Sequence, residues 1–381
     1  MNFENHGKEG QKKMEALITA LAALQAGDAW ASSKDEATVL LESAESARAT
    51  KQTERVVDYC TTALELARGC LGDTRGQVLN ALDGSQDKLV EVMESGEALE
   101  GALDVLVTET QVLQLRAEAF MDKGQTKEAR GDLEECEMVS TKLCDDIAIA
   151  RCLRTRGMLC LMRKEVKEAA SLLERAVERC REAEEPGEEA YALKLLIKLH
   201  SESAHMYDRV CELYHQLLEA HQSGDNTGAV SETLLDLGQF RLKRHLTDLE
   251  KGVELEFADL EMTDMDLGGA VSALEAAAEA GDDNGCADDT DEVDEATGEA
   301  CNAGDGRRRS PAVLLAEALT AAGTLKMLLG DQAEATGALE RASGIYRARG
   351  DADGESKCDE LKKDVGRIMD KVDSTAVTPQ T

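Results

Sequence analysis

Aromatic residues supply only 3% of the 381 residues and prolines number three. Strand-forming aromatic and β-branched side chains are thin throughout, and no window alternates strictly between apolar and polar residues. A sheet therefore has little to be built from. Positive charge is also in short supply: 43 Lys and Arg stand against 77 Asp and Glu, a net charge of −34. A polyanion repels nucleic acid, so direct nucleic-acid binding is excluded and a protein partner, possibly basic, is favoured. The eleven cysteines are an odd number and contain no CxxC pair. Cys136, Cys144, Cys152 and Cys160 recur every eight residues, about 800° of helix. Successive members therefore drift around the helix and form no single stripe. They are expected to act as small buried hydrophobes, in a reducing cytoplasmic or nuclear compartment.

Catalytic signatures are missing as well. HExxH, the Walker loop, GxSxG and the dinucleotide fingerprint do not occur, and no two of the six histidines have the i,i+4 spacing of a zinc pair. No enzyme activity, catalytic residue, metal site or cofactor is expected. No uninterrupted apolar run reaches the ~18 residues of a spanning helix, so no membrane is expected. Lys12 and Lys13 before ALITALAALQA imitate a secretory signal, but Glu15, Thr19 and Gln25 interrupt it. Leu17, Leu21 and Leu24 keep a helical stripe, which makes this a first amphipathic helix.

What the chain has in quantity is Ala, Leu, Glu and Asp, which suit helices. Between Thr110 and Arg181 one helix-turn-helix pattern occurs twice, forty positions apart. Ala117, Phe120, Gly124, Ala129, Leu133 and Cys136 are answered by Gly157, Cys160, Lys164, Ala169, Leu173 and Ala176. The pattern returns at Gly323, Gly330, Ala335, Leu339 and Ala342, and in degenerate form at Ala44, Ala47, Val56, Cys60 and Ala63. A third copy is expected near 190–222, with Lys198 and Ser201 fitting its core offsets poorly. A fourth starts at Gly228, its partner helix around Ala270 and Leu274 delayed. Self-similarity at this period signals a solenoid, whose units bury their apolar faces on each other.

The division this implies is an N-terminal helix (1–32), a degenerate repeat and connector (33–110), repeats (111–280), an acidic loop (281–310), a last repeat (311–350), a capping helix (351–372) and a loose tail (373–381). The run GDDNGCADDTDEVDEATGEACNAGDG at 281–306 carries ten acids and no base. It has almost nothing to bury and is expected to be disordered. As a calcium loop it fails: starting at Asp282 or Asp289, the sixth position is not glycine. Arg307, Arg308 and Arg309 before Ser310 and Pro311 have the form of a basophilic phosphorylation site. The same Ser310 and Pro311 suit the N-cap and first position of the next helix.

At these positions the chain resembles the tetratricopeptide repeat family. That family places Gly or Ala at the eighth position, a large residue at the eleventh, and Ala at the twentieth and twenty-seventh. Gly157, Ala169 and Ala176 match, as do Gly323, Ala335 and Ala342, and Ala117, Phe120 and Ala129. The forty-residue spacing is similar to the long-helix variety of kinesin light chains. The early Trp is missing, the helix-ending Pro is scarce, and Cys136 replaces an Ala. The resemblance implies an all-α fold: a right-handed superhelix (α-solenoid) of antiparallel helix pairs.

It also implies that the first helix of each pair lines a concave groove. Carried over by position, the groove shows Gln111, Gln114, Glu118 and Met121, then Arg151, Arg154, Met158 and Met162. The last copy adds Glu317, Thr320, Thr324 and Met327. The Lys and Asn with which the chaperone-tail subgroup grips a terminal carboxylate are not supplied by Gln114 and Glu118 or by Arg154 and Met158. The implied function is a non-enzymatic adaptor or scaffold binding a peptide or helix of another protein. The alternative is an acidic chaperone for basic proteins such as histones, similar to those with interrupted repeats.

Overall fold

The computed structural model describes residues 18–22, 25, 28–82, 97–201, 203–282 and 310–375. Most of the acidic run, Arg307–Arg309 and the end of the tail lie outside them. Every regular element described is helical, and the chain forms two compact units, Met1–Ala204 and His205–Thr381.

In the first unit α1 (Asp28–Ala49) and α2 (Thr53–Leu71) form a pair. A short 3-10 turn leads to α3 (Arg75–Ala81), and α4 (Glu97–Asp122) pairs with α5 (Thr126–Leu143). Then α6 (Asp146–Met162) pairs with α7 (Val166–Glu182), and α8 (Pro186–Ser201) packs on α7. The degenerate first copy is a true helix pair: Ala44, Ala47, Val56, Cys60 and Ala63 are all buried. The connector is partly helical at α3, whose Val78 and Leu79 join a core with Trp30, Leu71, Leu99 and Leu106.

The turns explain the regularity. Gly124, Cys144, Lys164 and Glu184, twenty residues apart in succession, all have positive φ. Each donates its amide to the carbonyl three residues back, and the next amide reaches five residues back, as from Gln125 to Phe120 and Glu165 to Cys160. This double bond satisfies the last free carbonyls of the helix. Only one of the four is glycine, so sequence alone shows the turn clearly at Gly124 and conceals it at Cys144 and Glu184. Asp145 then caps α6 by accepting from Ala148.

Packing follows the repeat pattern. The hydrogen of Gly157 faces Leu173, and a Cβ there would stand 2.8 Å from Leu173 Cγ. Gly323 faces Leu339 in the same way, at 2.9 Å. The small residue thus lets two helices close on a fully buried leucine, which stabilises by about 1.5–3 kcal/mol relative to exposure. Of the eight-spaced cysteines, Cys136, Cys152 and Cys160 are buried, and Cys144 forms the turn. Cys136 and Cys152 meet across α5 and α6, their sulfurs 2.8 Å apart.

Buried charge also ties the first unit together. Glu109 on α4 is fully buried; it accepts from Arg68 Nε at 2.7 Å and from Arg75 Nε and Nη2 at 2.9 and 2.8 Å. The same arginines reach Glu135 of α5. Arg116 grips Asp132 with two parallel bonds of 2.8 and 2.7 Å. None of this network is visible in the repeat pattern.

In the second unit α9 (Tyr207–Ser223) packs on α10 (Thr227–Glu250), which pairs with α11 (Phe257–Asp282). Next, α12 (Pro311–Leu328) pairs with α13 (Gln332–Ala348), and α14 (Ala352–Thr375) closes against both. The delayed fourth copy is an elongated pair of 24 and 26 residues. Its close approach survives the insertion, with Gly238 facing Leu267. The boundary between the units falls between α8 and α9, the two helices the pattern assigns to one repeat. Lys198 and Ser201, at core offsets in that repeat, are exposed.

Alone among the described residues, α12 is long and apolar enough to cross a membrane, with mean hydropathy 1.3. No such helix is expected from the sequence. Two thirds of it is buried, against α11, α13 and α14, as befits a helix apolar all round at the centre of a core. Pro311 opens it as anticipated. Ser310 occupies the N-cap, but its hydroxyl makes no capping bond.

Candidate protein-interaction surface

In the first unit α4, α6 and α8 lie against one another in succession, so their outward faces make one continuous surface. On α6, Arg151, Arg154, Met158 and Met162 share a stripe at helical spacing. Met162 is 52% exposed and Arg151 and Met158 are half-buried. On α4, Gln111 is exposed and Gln114 half-buried, while Glu118 pairs with Arg48 of α1 at 2.7 Å. Met121 is buried against Ala117, Ala129 and Leu133 and does not reach the surface.

The sequence pattern overlooks α8. Tyr191, Lys194 and Lys198 stand forty positions beyond Arg151, Arg154 and Met158 and continue the same stripe. The two lysines are exposed. The offset was there to find, but the poor core fit at Lys198 and Ser201 obscured the register. Together these residues gather four bases on one face of a chain of net charge −34.

Glu188 at the start of α8 organises them. Arg151 Nε donates to Glu188 Oε1 at 2.6 Å, and Arg154 Nη2 lies 3.5 Å from Oε2. The Arg154 guanidinium sits 4.3 Å above the Tyr191 ring, a cation–π arrangement. Its Nε is buried with no hydrogen-bond partner among the described residues. Beneath, burial first and then the Glu188 and Glu189 carboxylates push the Cys180 thiol up to about 12, so it stays protonated and unreactive. The face thus brings together fixed cations, a planar aromatic and flexible methionines.

The last repeat offers no comparable face. Thr320, Thr324 and Met327 are buried, and Thr320 and Thr324 turn their hydroxyls onto the carbonyls of Ala316 and Thr320. Thr320 also meets Cys358 of α14, at 3.5 Å. The physical reason is α14, which covers the side of α12 that an open groove would need.

Of the described histidines, His200 lies in the last turn of α8 and the others belong to the second unit. His245 is buried and bonded to Thr263 at 2.9 Å, and His215 lies 3.3 Å from Arg241, which pairs with Asp266. Among the described residues one group of possible cation ligands occurs, at the α6–α7 turn, where atoms of Cys160, Glu165 and Glu168 lie within 4.8 Å of one another. Burial raises the Cys160 thiol, which works against thiolate ligation.

No protein-family model matches the chain. No curated protein matches it either. Among solved structures, BtubC from P. vanneervenii is 14% identical over 80% of this chain and 95% of its own, with a TM-score of 0.40. The apo form of RapI is 13% identical over 89% of this chain and 86% of its own, TM-score 0.47. A signal-transduction ATPase with a tetratricopeptide repeat sensor from Pyrococcus horikoshii is 11% identical, covering 96% of this chain and 55% of its own, TM-score 0.37. Likeness at this level carries no argument about function. The chain's own helix pairs establish an all-α, tetratricopeptide-like repeat architecture.

Proposed function

We propose that the chain is a non-enzymatic adaptor whose α4–α6–α8 surface binds an extended acidic segment of a partner protein. The observation that carries this reading is the cationic stripe of Arg151, Arg154, Lys194 and Lys198, held beside Tyr191, Met158 and Met162. Four bases on one face of so acidic a chain concentrate a field that attracts carboxylates and repels basic competitors. Glu188 occupies the two arginines in the free protein and is displaced, or bridged, when a ligand carboxylate arrives.

Affinity capture from lysate tests the reading with three proteins: the intact chain, the Arg154→Ala/Lys194→Ala/Lys198→Ala variant, and a chain lacking 281–306. Acidic partners retained by the intact chain and the deletion, but lost by the triple variant, support it. Partners that persist with the triple variant and vanish with the deletion, and are basic, would overturn it in favour of a chaperone for basic proteins.

A further inference from the structure

The second unit carries an exposed face that its fold does not use. Along α11, Leu260, Thr263, Leu267, Ala270 and Leu274 point into the core and are buried. The opposite face presents Phe257, Met262 and Met265, with Val253 just before the helix. Phe257 is 65% exposed and Met265 76%. A solvent-facing helical stripe ordinarily carries charged or polar residues, and clustered large apolar groups on it mark a contact surface. Two are methionines, whose unbranched, polarizable side chains adapt to a partner's shape.

The rim is acidic. Glu254, Glu256 and Glu261 are exposed and make no ion pair with any described residue. Asp264 and Asp266 on the same helix differ, being engaged by Lys326 and Arg241. These half-buried carboxylates of α11 are thus neutralised, while Glu261 and the preceding Glu254 and Glu256 have no ion pair among the described residues. Exposed apolar groups interspersed with such carboxylates are complementary to one kind of ligand: a helix with leucines or aromatics on one face and Lys or Arg close beside them.

We infer that the Phe257–Met262–Met265 face of α11 is a docking site for a basic amphipathic helix of a partner protein. The site lies within the second unit and does not rest on the α4–α6–α8 surface of the first. A second copy of this chain is a poor occupant, because two such acidic faces repel each other.

The test uses the full chain and a labelled synthetic peptide whose helix carries leucines on one face and lysines on the other. One control replaces the lysines by glutamines, and another keeps the composition but scatters the leucines around the helix. The expected result is binding at least about tenfold tighter than either control, weakening with salt. Phe257→Ser/Met265→Ser should lower the affinity about tenfold and keep the salt dependence. Glu254→Gln/Glu256→Gln/Glu261→Gln should lower it and flatten that dependence. All these positions are exposed, so circular dichroism and melting should be unchanged.

Equal binding of the controls, or affinity indifferent to both sets of variants, would overturn the inference. So would loss of peptide binding only in the Arg154→Ala/Lys194→Ala/Lys198→Ala variant. Concentration-dependent self-association abolished by Phe257→Ser/Met265→Ser would likewise overturn it, making the face a contact between copies.

Discussion

Replacing Gly157 by alanine asks directly whether close approach at the repeat's small position holds the array together. A Cβ there would lie 2.8 Å from Leu173 Cγ and 2.9 Å from its Cδ2, with the Ala169 carbonyl oxygen at 3.6 Å. Leu173 is fully buried, and its Cγ is anchored one bond from Cβ, so it has little room to swing. Overpacking a filled core costs about 1–3 kcal/mol. The gain in helix propensity from Gly to Ala returns about 1 kcal/mol. The net is a loss of roughly 0–2 kcal/mol.

Gly131 supplies the control. It lies on the exposed side of α5 with no atom within 4 Å of an added Cβ. Gly131→Ala keeps only the propensity gain and should stabilise by up to about 1 kcal/mol. Urea unfolding followed by circular dichroism should therefore separate the two variants by about 1–3 kcal/mol, in opposite directions where the packing cost is at its full value. In Gly157→Ala/Leu173→Ala the obstructing Cγ is gone, so the double variant should be less destabilised than the sum of the singles. Equal shifts for Gly157→Ala and Gly131→Ala, with additive behaviour in the double variant, would refute the packing argument.

Glu109→Gln should destabilise the first unit by about 3 kcal/mol, the low end for removing one partner of a buried pair, because Arg68 and Arg75 keep Glu135. A urea titration reads this directly, and an unchanged midpoint would show the network to be dispensable. Glu184→Gly, which relieves a non-glycine residue at φ 55, should stabilise by about 0.5–1 kcal/mol and raise the melting temperature. His245 is pushed below its ordinary 6.5 by burial, against the pull of Asp259. As pH falls below 6.5 the unfolded chain takes up the proton first, so this contribution to stability is present above 6.5 and lost as pH falls toward the lowered folded value. His245→Gln should flatten the dependence of the unfolding midpoint between about pH 5 and 7, and a variant as pH-sensitive as the parent would contradict it.

The repeat architecture was legible because it is written in residue size. Ala or Gly facing Leu or Cys at fixed offsets is a local signal, and Ala129, Leu133, Ala169, Leu173, Ala335 and Leu339 are all buried where it places them. Charge pairing between helices is not periodic, which is why Glu109 with Arg68 and Arg75, or Arg241 with Asp266, left no trace in the pattern. The groove set divides on the same principle. Arg151, Arg154 and Met162 sit on α6, a helix that carries arginines among its apolar residues and keeps these three half-buried or exposed. Thr320, Thr324 and Met327 sit on a helix apolar all round, and such a helix becomes core once α14 covers it. Lys194 and Lys198 were recoverable from the forty-residue offset alone.

The central claim, that the stripe on α6 and α8 binds acidic segments, is tested most directly by fluorescence anisotropy of a short labelled peptide of glutamates and leucines. It is titrated with the full chain, the Arg154→Ala/Lys194→Ala/Lys198→Ala variant and Glu188→Gln. The account predicts saturable, salt-sensitive binding that weakens by about tenfold or more in the triple variant and tightens in Glu188→Gln, where the arginines are released. Binding no stronger than that of a glutamine–leucine peptide in the same assay, or unchanged across the three proteins, would contradict it.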